Sequence, residues 1–432
     1  VPSVVARVGA PTAGSGGLTI ATINDPYVDG LGRPGFTGQL AGPKGNIPFV
    51  WVHTGIAWLA TDALPILLTG AEGTCGISDD GGWIYSPAED GEDSVWSNGA
   101  RIVRNGDPAP SLDDLFITFA SRPQMNADGT PTWISGLTDA PGGATQGRVL
   151  YAGTTPLIRT GDVYGNLVVD SVGVGFAYDF SSNGSHWIVR ARSGPAPFTF
   201  FMVLDGANVL ETGQRASGIA GKWQNFDDCG VNDAGDWVVS GDTDAAAAID
   251  GFLAYNGTAI AREGDLVAGL VLNANPRACA IANNGRIGAI WNTNQGEALF
   301  LFTQDSAGGF GAEVLLKVGD LVDSDGDGIV DATVTDFNAS PTIAPGLRLP
   351  DRCRVYVNVD VTIPGGTSVE AVVAVPLPEL GLSGDLDGDG DVDAADLAIL
   401  LGAWGSLGAS DLNCDGTTDA ADLAILLGGW TG

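Results

Sequence analysis

The chemistry written most plainly in this chain is that of regularly spaced carboxylates. In GDLDGDGDVDAADLAILLGAWG, residues 384–405, Asp385, Asp387, Asp389, Asp391, Asp393 and Asp396 take positions 1, 3, 5, 7, 9 and 12 of a twelve-residue loop, with Gly390 at position 6. The pattern returns in DLNCDGTTDAADLAILLGGW, where Asp411, Asn413, Asp415, Thr417, Asp419 and Asp422 hold the same positions and Gly416 the sixth. Calcium is a hard cation that takes roughly six to eight oxygens, and alternate oxygen donors on a sharply turned loop converge on one point. Position 7 acts through its backbone carbonyl, so the Asp391 side chain is not required. A shorter third loop, DSDGDGIVD, places Asp323, Asp325, Asp327 and Asp331 at positions 1, 3, 5 and 9, with the Ile329 carbonyl at 7. Val334 stands at position 12 and offers no ligand.

Each of the two long loops runs straight into DAADLAILLG. Leu397, Leu400, Leu401 and Trp404, and again Leu423, Leu426, Leu427 and Trp430, follow helical spacing. Each loop therefore opens a short helix, and the apolar faces of the two helices are expected to pack together. Aspartate at position 12 and the absence of a helix before the loop depart from an ordinary EF-hand. The duplicated loop–helix pair resembles a dockerin module (type I-like) over residues 384–432. That resemblance implies two bound Ca²⁺ ions, an extracellular setting and attachment to a larger assembly through a cohesin-like protein. Ala394, Ala395, Ala420 and Ala421 stand where dockerins with known partners often carry hydroxyl or charged residues. The 323–331 loop is similar to the short calcium loops between propeller strands in integrin-type repeats, which implies one more Ca²⁺. Clustered carboxylates repel one another without a cation, so calcium is expected to order the tail.

The rest of the chain must carry this tail, and it is a repeat with a period near fifty residues. One element ends an apolar stretch in a glycine turn: IVRNGDPAP at 102–110, LIRTGDVYG at 157–165, IAREGDLVAG at 260–269, LLKVGDLVD at 315–323, and a worn VLETGQRASG at 209–218. The second is an Asn/Asp–Gly turn before an apolar strand, as in MNADGTPTWIS at 125–135 and VNDAGDWVVSG at 231–241. Each unit reads as four short antiparallel strands, and counting turns gives seven units. The expected fold is all-β: a seven-bladed β-propeller over residues 1–375, a linker at 376–383, and the small helical module at 384–432. The last unit lacks a fourth strand, and VVARVGAPTAG at 4–14 resembles the missing element. That N-terminal strand either closes its own ring or completes the last blade of a neighbouring copy. The large domain resembles repeat propellers of bacterial secreted proteins.

Composition narrows the function. The net charge of −33, from 19 basic and 52 acidic residues, excludes a basic nucleic-acid or anionic-membrane surface. No apolar run reaches membrane-span length. The chain begins at Val1, as a mature secreted form would. The five cysteines, Cys75, Cys229, Cys279, Cys353 and Cys414, are odd in number and lack metal-site spacing. They do not form a disulfide scaffold, and at least one thiol is unpaired or pairs between chains. Cys75, Cys229 and Cys279 each precede a turn glycine by six residues, which predicts equivalent buried inner-strand positions; a Cys229–Cys279 bridge stays open. Catalytic candidates are poor: His53 and His186 sit beside apolar or aromatic strands, and no nucleophile elbow or phosphate loop occurs. Trp83, Trp133, Trp187 and Trp237 read as packing between blades. The expected function is non-enzymatic: a secreted, calcium-binding structural or interaction protein, joined to copies of itself, as in a filament, or to a cohesin-like partner. The alternatives are a dockerin-borne carbohydrate-active enzyme, with paired carboxylates, or a glycan-binding propeller.

Overall fold

The computed structural model describes residues 1–60, 68–69, 75–173, 177–338, 347–378, 384–386, 390–406, 410–414 and 417–431. Among them, seven antiparallel sheets follow one another along the chain, over residues 20–59, 75–104, 116–159, 167–211, 223–262, 270–317 and 332–376. In the first six, four main strands pair in sequence order, as in Phe116–Met125, Pro131–Thr138, Gly147–Ala152 and Thr155–Arg159; the seventh supplies three, Ala332–Phe337, Arg354–Ile363 and Thr367–Pro376. These are blades 1 to 7 of a β-propeller, the architecture expected from the repeat. The first strands of successive blades pack on one another around the axis, and the core lies between blades. Trp133 is fully buried there, as are Phe226, Phe252 and Trp291. Each such side chain stabilises the ring by about 1.5–3 kcal/mol. Trp83 and Trp237 are also buried, and Trp187 packs against the core from a half-buried position.

The glycine-turn element is the joint between blades. Its glycine N–H donates to the first strand of the following blade: Gly106 to Ile117 O, Gly161 to Val169 O, Gly213 to Trp223 O, Gly264 to Leu272 O and Gly319 to Val334 O. These glycines have φ between +87° and +98°, where a Cβ would be strained. The aspartate that follows caps the turn: Asp107, Asp162, Asp265 and Asp320 each accept the backbone N–H three residues earlier, at 2.8–3.0 Å. The N-terminal copy behaves alike, since Gly9, at φ +83°, donates its N–H to Ile20 O at 2.9 Å. Strand Ser3–Arg7 pairs antiparallel with Thr367–Pro376, with Ser3 opposite Ala374 and Arg7 opposite Ala371. Of the two fates open to this strand, the structure shows the one in which the chain closes its own ring.

The Asn/Asp–Gly hairpin turns clasp one another at one mouth of the axial channel. The Arg33 side chain of blade 1 donates to Asp79 O. The Asp79 N–H donates to Ala127 O and the Ala127 N–H to Ser182 O. Asn183 N–H then reaches Asp233 Oδ1, Asp233 N–H reaches Asn283 Oδ1, and Asn284 N–H reaches Asp351 Oδ1, at 2.8–2.9 Å. Asn283 Nδ2 donates back to Asp233 Oδ2 at 3.0 Å. Hairpin chemistry accounts for the glycines of these turns, and their Asx side chains do a second job as clasps from blade to blade.

Two short helices follow: α1 (Ala394–Gly402) and α2 (Ala420–Gly428). The last strand ends at Pro376, one residue beyond the expected boundary, and linker residues 379–383 lie outside the described residues. Among the described residues no helix is long and apolar enough to cross a membrane.

Candidate metal-binding loops

Residues 323–331 leave blade 7 between strands Leu321–Val322 and Ala332–Phe337. Asp323, Asp325 and Asp327 each present a carboxylate oxygen within 4.8 Å of the others. The turn forms because Asp323 gathers backbone donors: Oδ2 accepts from Gly328 N–H at 2.8 Å and Oδ1 from Gly326 N–H at 2.7 Å. The N–H of Gly328, with those of Gly326, Asp325 and Asp327, holds the Asp323 carboxyl below the usual carboxylate range. Asp331 at position 9 accepts from Ser324 N–H at 2.9 Å, and Ile329 N–H donates to Asp327 Oδ1 at 2.8 Å. The loop also touches the ring closure, for Val4 N–H donates to Asp323 O at 2.9 Å and Asp323 N–H to Pro2 O at 3.0 Å.

The two long loops are built alike. Asp385 Oδ2 accepts from Gly390 N–H at 3.1 Å, linking positions 1 and 6. Asp396, fully buried at position 12, accepts from Leu386 N–H at 2.5 Å and Asp393 N–H at 2.8 Å. Asp422 repeats this with Leu412, Asn413 and Asp419 N–H at 2.7–2.9 Å. Asp393 and Asp419 are helix N-caps, accepting from Ala395 and Ala421 N–H at 2.7 Å, and each forms a capping box with the position-12 aspartate. Sequence reading assigned these four residues to metal alone; the D-x-x-D spacing was the signal for the cap. Asp391, Asp411 and Thr417 belong to the described loops, whereas Asp387, Asp389 and Asp415 lie outside the described residues. Val392 and Thr418, both at position 8, pair with the chain beyond the opposite helix. Thr431 N–H donates to Val392 O at 3.0 Å, and Gly405 N–H to Thr418 O at 2.8 Å.

One expectation about the helices is corrected. Leu400 and Leu426 are buried with Val392 and Leu412, and Leu397 and Leu423 pack partly against them. Leu401, Trp404, Leu427 and Trp430 are instead exposed, at 52%, 48%, 52% and 38%. Nine-residue helices bury only the narrow face that meets the loops.

The cysteine pairing, left open by the sequence, is seen in the structure. Cys353 and Cys414 form a disulfide within the chain, joining blade 7 to position 4 of the second loop. The possible Cys229–Cys279 bridge is not made; Cys75, Cys229 and Cys279 are free and buried on first strands, as their spacing predicts. Beside the disulfide, Arg352 Nη2 donates to Asp385 O at 3.2 Å. Both loops are thus fastened to blade 7.

The channel holds a residue that sequence reading missed. Arg348, from the loop of blade 7, lies half-buried on the axis, 2.5 Å from Asp179 and 2.6 Å from Gln124 Oε1, with its guanidinium 4.7 Å above the Tyr27 ring. It thereby ties blade 7 to blades 1, 3 and 4. Asp179 in turn accepts Val231 N–H at 3.1 Å from blade 5, and Asp228 accepts Cys279 N–H at 2.9 Å from blade 6. Burial pushes the Asp228 carboxyl up to about 7 and that of Asp25, near Asn358 and Glu370, also to about 7. The histidines each meet a carboxylate: His53 Nε2 lies 3.1 Å from Asp29 and His186 Nδ1 2.6 Å from Asp205.

No family model and no curated protein matches the chain. Among solved structures it is similar to the Dos1 propeller, at 8% identity over 84% of this chain and 82% of that one, with TM-score 0.40. It is also similar to a gluconolactonase from Xanthomonas campestris, at 10% identity over 86% and 99%, with TM-score 0.31. A third is oligopeptidase B from Leishmania major, at 11% identity over 85% of this chain and 49% of that one, with TM-score 0.37. The seven-bladed assignment stands on the sheet topology of the chain itself.

Proposed function

We propose that the protein is a secreted, non-enzymatic calcium-binding protein whose propeller is held in an extracellular assembly through its C-terminal loop–helix module. The observation that carries this reading is the pair of aspartate loops with glycine at position 6 and aspartate at position 12, each opening the same AADLAILLG helix. Asp385, Asp387, Asp389, the Asp391 carbonyl, Asp393 and Asp396 would hold one Ca²⁺. Asp411, Asn413, Asp415, the Thr417 carbonyl, Asp419 and Asp422 would hold a second. Asp323, Asp325, Asp327, the Ile329 carbonyl and Asp331 fit a third. Oxygen-only donor sets of this kind suit a hard cation and disfavour zinc or copper. A disulfide between ring and tail fits an oxidising, extracellular compartment. The exposed Leu401, Trp404, Leu427 and Trp430 supply apolar surface for a partner, either another copy of this chain or a cohesin-like protein.

The test is calorimetric titration of Ca²⁺ into the chelator-stripped full chain, paired with electron microscopy of native material with and without chelator. Saturable binding, reduced by two sites on replacing Asp385 and Asp411 by alanine, is the expected result. A stripped chain that takes up no calcium would overturn the metal assignment. Uniform single particles under both conditions would overturn the assembly role.

A further inference from the structure

The two long loops differ at four of their twelve positions, 3, 4, 7 and 8, and one of these differences stands apart. Position 4 is Gly388 in the first and Cys414 in the second. Cys414 has φ +60° and its partner Cys353 φ +67°, the left-handed region that a cysteine adopts only when its surroundings hold it there. What holds both is the bond between them, with Cα atoms 5.4 Å apart and a sequence separation of 61. Cys414 directly follows Asn413, whose N–H bonds the position-12 carboxylate of Asp422 at 2.9 Å. Cys353 O accepts Leu377 N–H at 2.9 Å, and its neighbour Arg352 grips Asp385 O. Ser410, Asp411 and Leu412, the start of the second loop, are buried beside this contact. The disulfide therefore sets the backbone of one metal loop and its seat on blade 7 at once.

We propose that the Cys353–Cys414 bond is a redox-set latch on the second aspartate loop: closed, it holds the loop in its metal-receiving shape on blade 7; opened by a thiol reductant, it lowers that loop's calcium affinity and frees the tail. This regulation rests on the metal reading given above. Opening is thiol–disulfide exchange. A small dithiol attacks one sulfur, forming a mixed disulfide with that cysteine and releasing the other as a free thiol. Its second thiol then closes on the reagent's own sulfur and displaces the cysteine still bound. The reductant leaves as a cyclic disulfide, having given two electrons and two protons to Cys353 and Cys414. Both cysteines are half-buried, whereas the other three are buried in the core. The other three thiols do not compete. They are buried, and burial pushes Cys75 up to about 12 and holds Cys229 and Cys279 well above the usual thiol range, so they stay protonated. The first loop, with glycine at the same position, is the internal control.

The experiment titrates Ca²⁺ by calorimetry into the full chain, oxidised and after reduction with dithiothreitol, and follows protease cleavage of the tail in parallel. In the Asp385→Ala chain, which keeps the second loop, reduction is expected to weaken binding about tenfold or more, the scale of losing an orienting partner of a metal ligand. In the Asp411→Ala chain, which keeps the first loop, reduction is expected to leave affinity unchanged. Cys353→Ser should reproduce the reduced state, reoxidation of the wild type should restore the affinity, and the reduced tail should be cut faster. Calcium binding that is the same before and after reduction overturns the latch and leaves the metal reading intact. No binding to the oxidised chain overturns both.

Discussion

Replacing Asp228 by asparagine should flatten the dependence of stability on pH. Asp228 sits on strand Trp223–Val231, 4% exposed, with Oδ2 accepting Cys279 N–H at 2.9 Å from the next blade. Burial raises its carboxyl from 3.8 to about 7. The backbone donors of Cys279 and Cys229 and the charge of Arg348 pull the other way, and Asp179 adds to the rise. Because the folded value lies above the unfolded one, the folded chain binds the proton more tightly. Its contribution to stability is complete below about pH 4 and is lost as pH rises towards about 7. At about 1.4 kcal/mol per unit, a shift from 3.8 to about 7 corresponds to a loss on the order of 4 kcal/mol. Asparagine keeps an oxygen for Cys279 N–H and carries no charge. Asp25, raised in the same way, contributes equally to both proteins, so their difference isolates Asp228. Urea unfolding at about pH 5 and about pH 8 is the assay. The variant should lose less stability over that interval and be the more stable protein at the higher pH. Parallel pH curves for the two proteins would refute the reasoning.

Three other outcomes follow from the geometry. Arg348→Ala leaves Asp179 buried without its cation and should cost about 3–5 kcal/mol in urea unfolding; adding Asp179→Asn should recover part of that loss in a double-mutant cycle. Gly76→Ala would place a Cβ 2.2 Å from the Met125 backbone nitrogen and 2.6 Å from the Gln124 carbonyl carbon, so the seam between blades 2 and 3 should weaken by about 1–3 kcal/mol, read as a lower thermal midpoint. Deleting residues 1–9 removes the strand that covers Thr367–Pro376 and should leave an edge that pairs between chains, seen as higher-mass species in light scattering; a strictly monomeric deletion chain would contradict the role given to that strand.

The fold was legible because its joints repeat. The glycine turn recurs with the same left-handed glycine and the same hydrogen bond at Gly9, Gly106, Gly161, Gly213, Gly264 and Gly319. That is why a short N-terminal stretch could be matched to a missing fourth strand. The capping role of Asp393 and Asp419 was hidden under their metal-like spacing, since one carboxylate type serves both purposes. Arg348 was illegible for the opposite reason: a single arginine between two leucines has no pattern, and its meaning comes from Asp179, Gln124 and Tyr27, which the ring brings together from three other blades. The pairing of Cys353 with Cys414 depends on where the tail sits on blade 7, which no local spacing encodes. Helical spacing marked Leu401 and Trp404 as apolar-face residues. Only the packing of two short helices against their own loops shows that they stay outside.

The bond at Cys353 also changes how the chain would carry tension. A pull on the C-terminus runs back along α2 to Cys414 and then crosses the sulfur bridge to Cys353. Everything between those residues, from the strand Arg354–Ile363 through α1, is bypassed and stays slack. Load enters the ring ahead of blade 7's two long strands, not at the end of Thr367–Pro376, so it does not peel that strand away from Ser3–Arg7. A protein tethered by its tail would keep its wheel shut under drag, for as long as the bridge is oxidised.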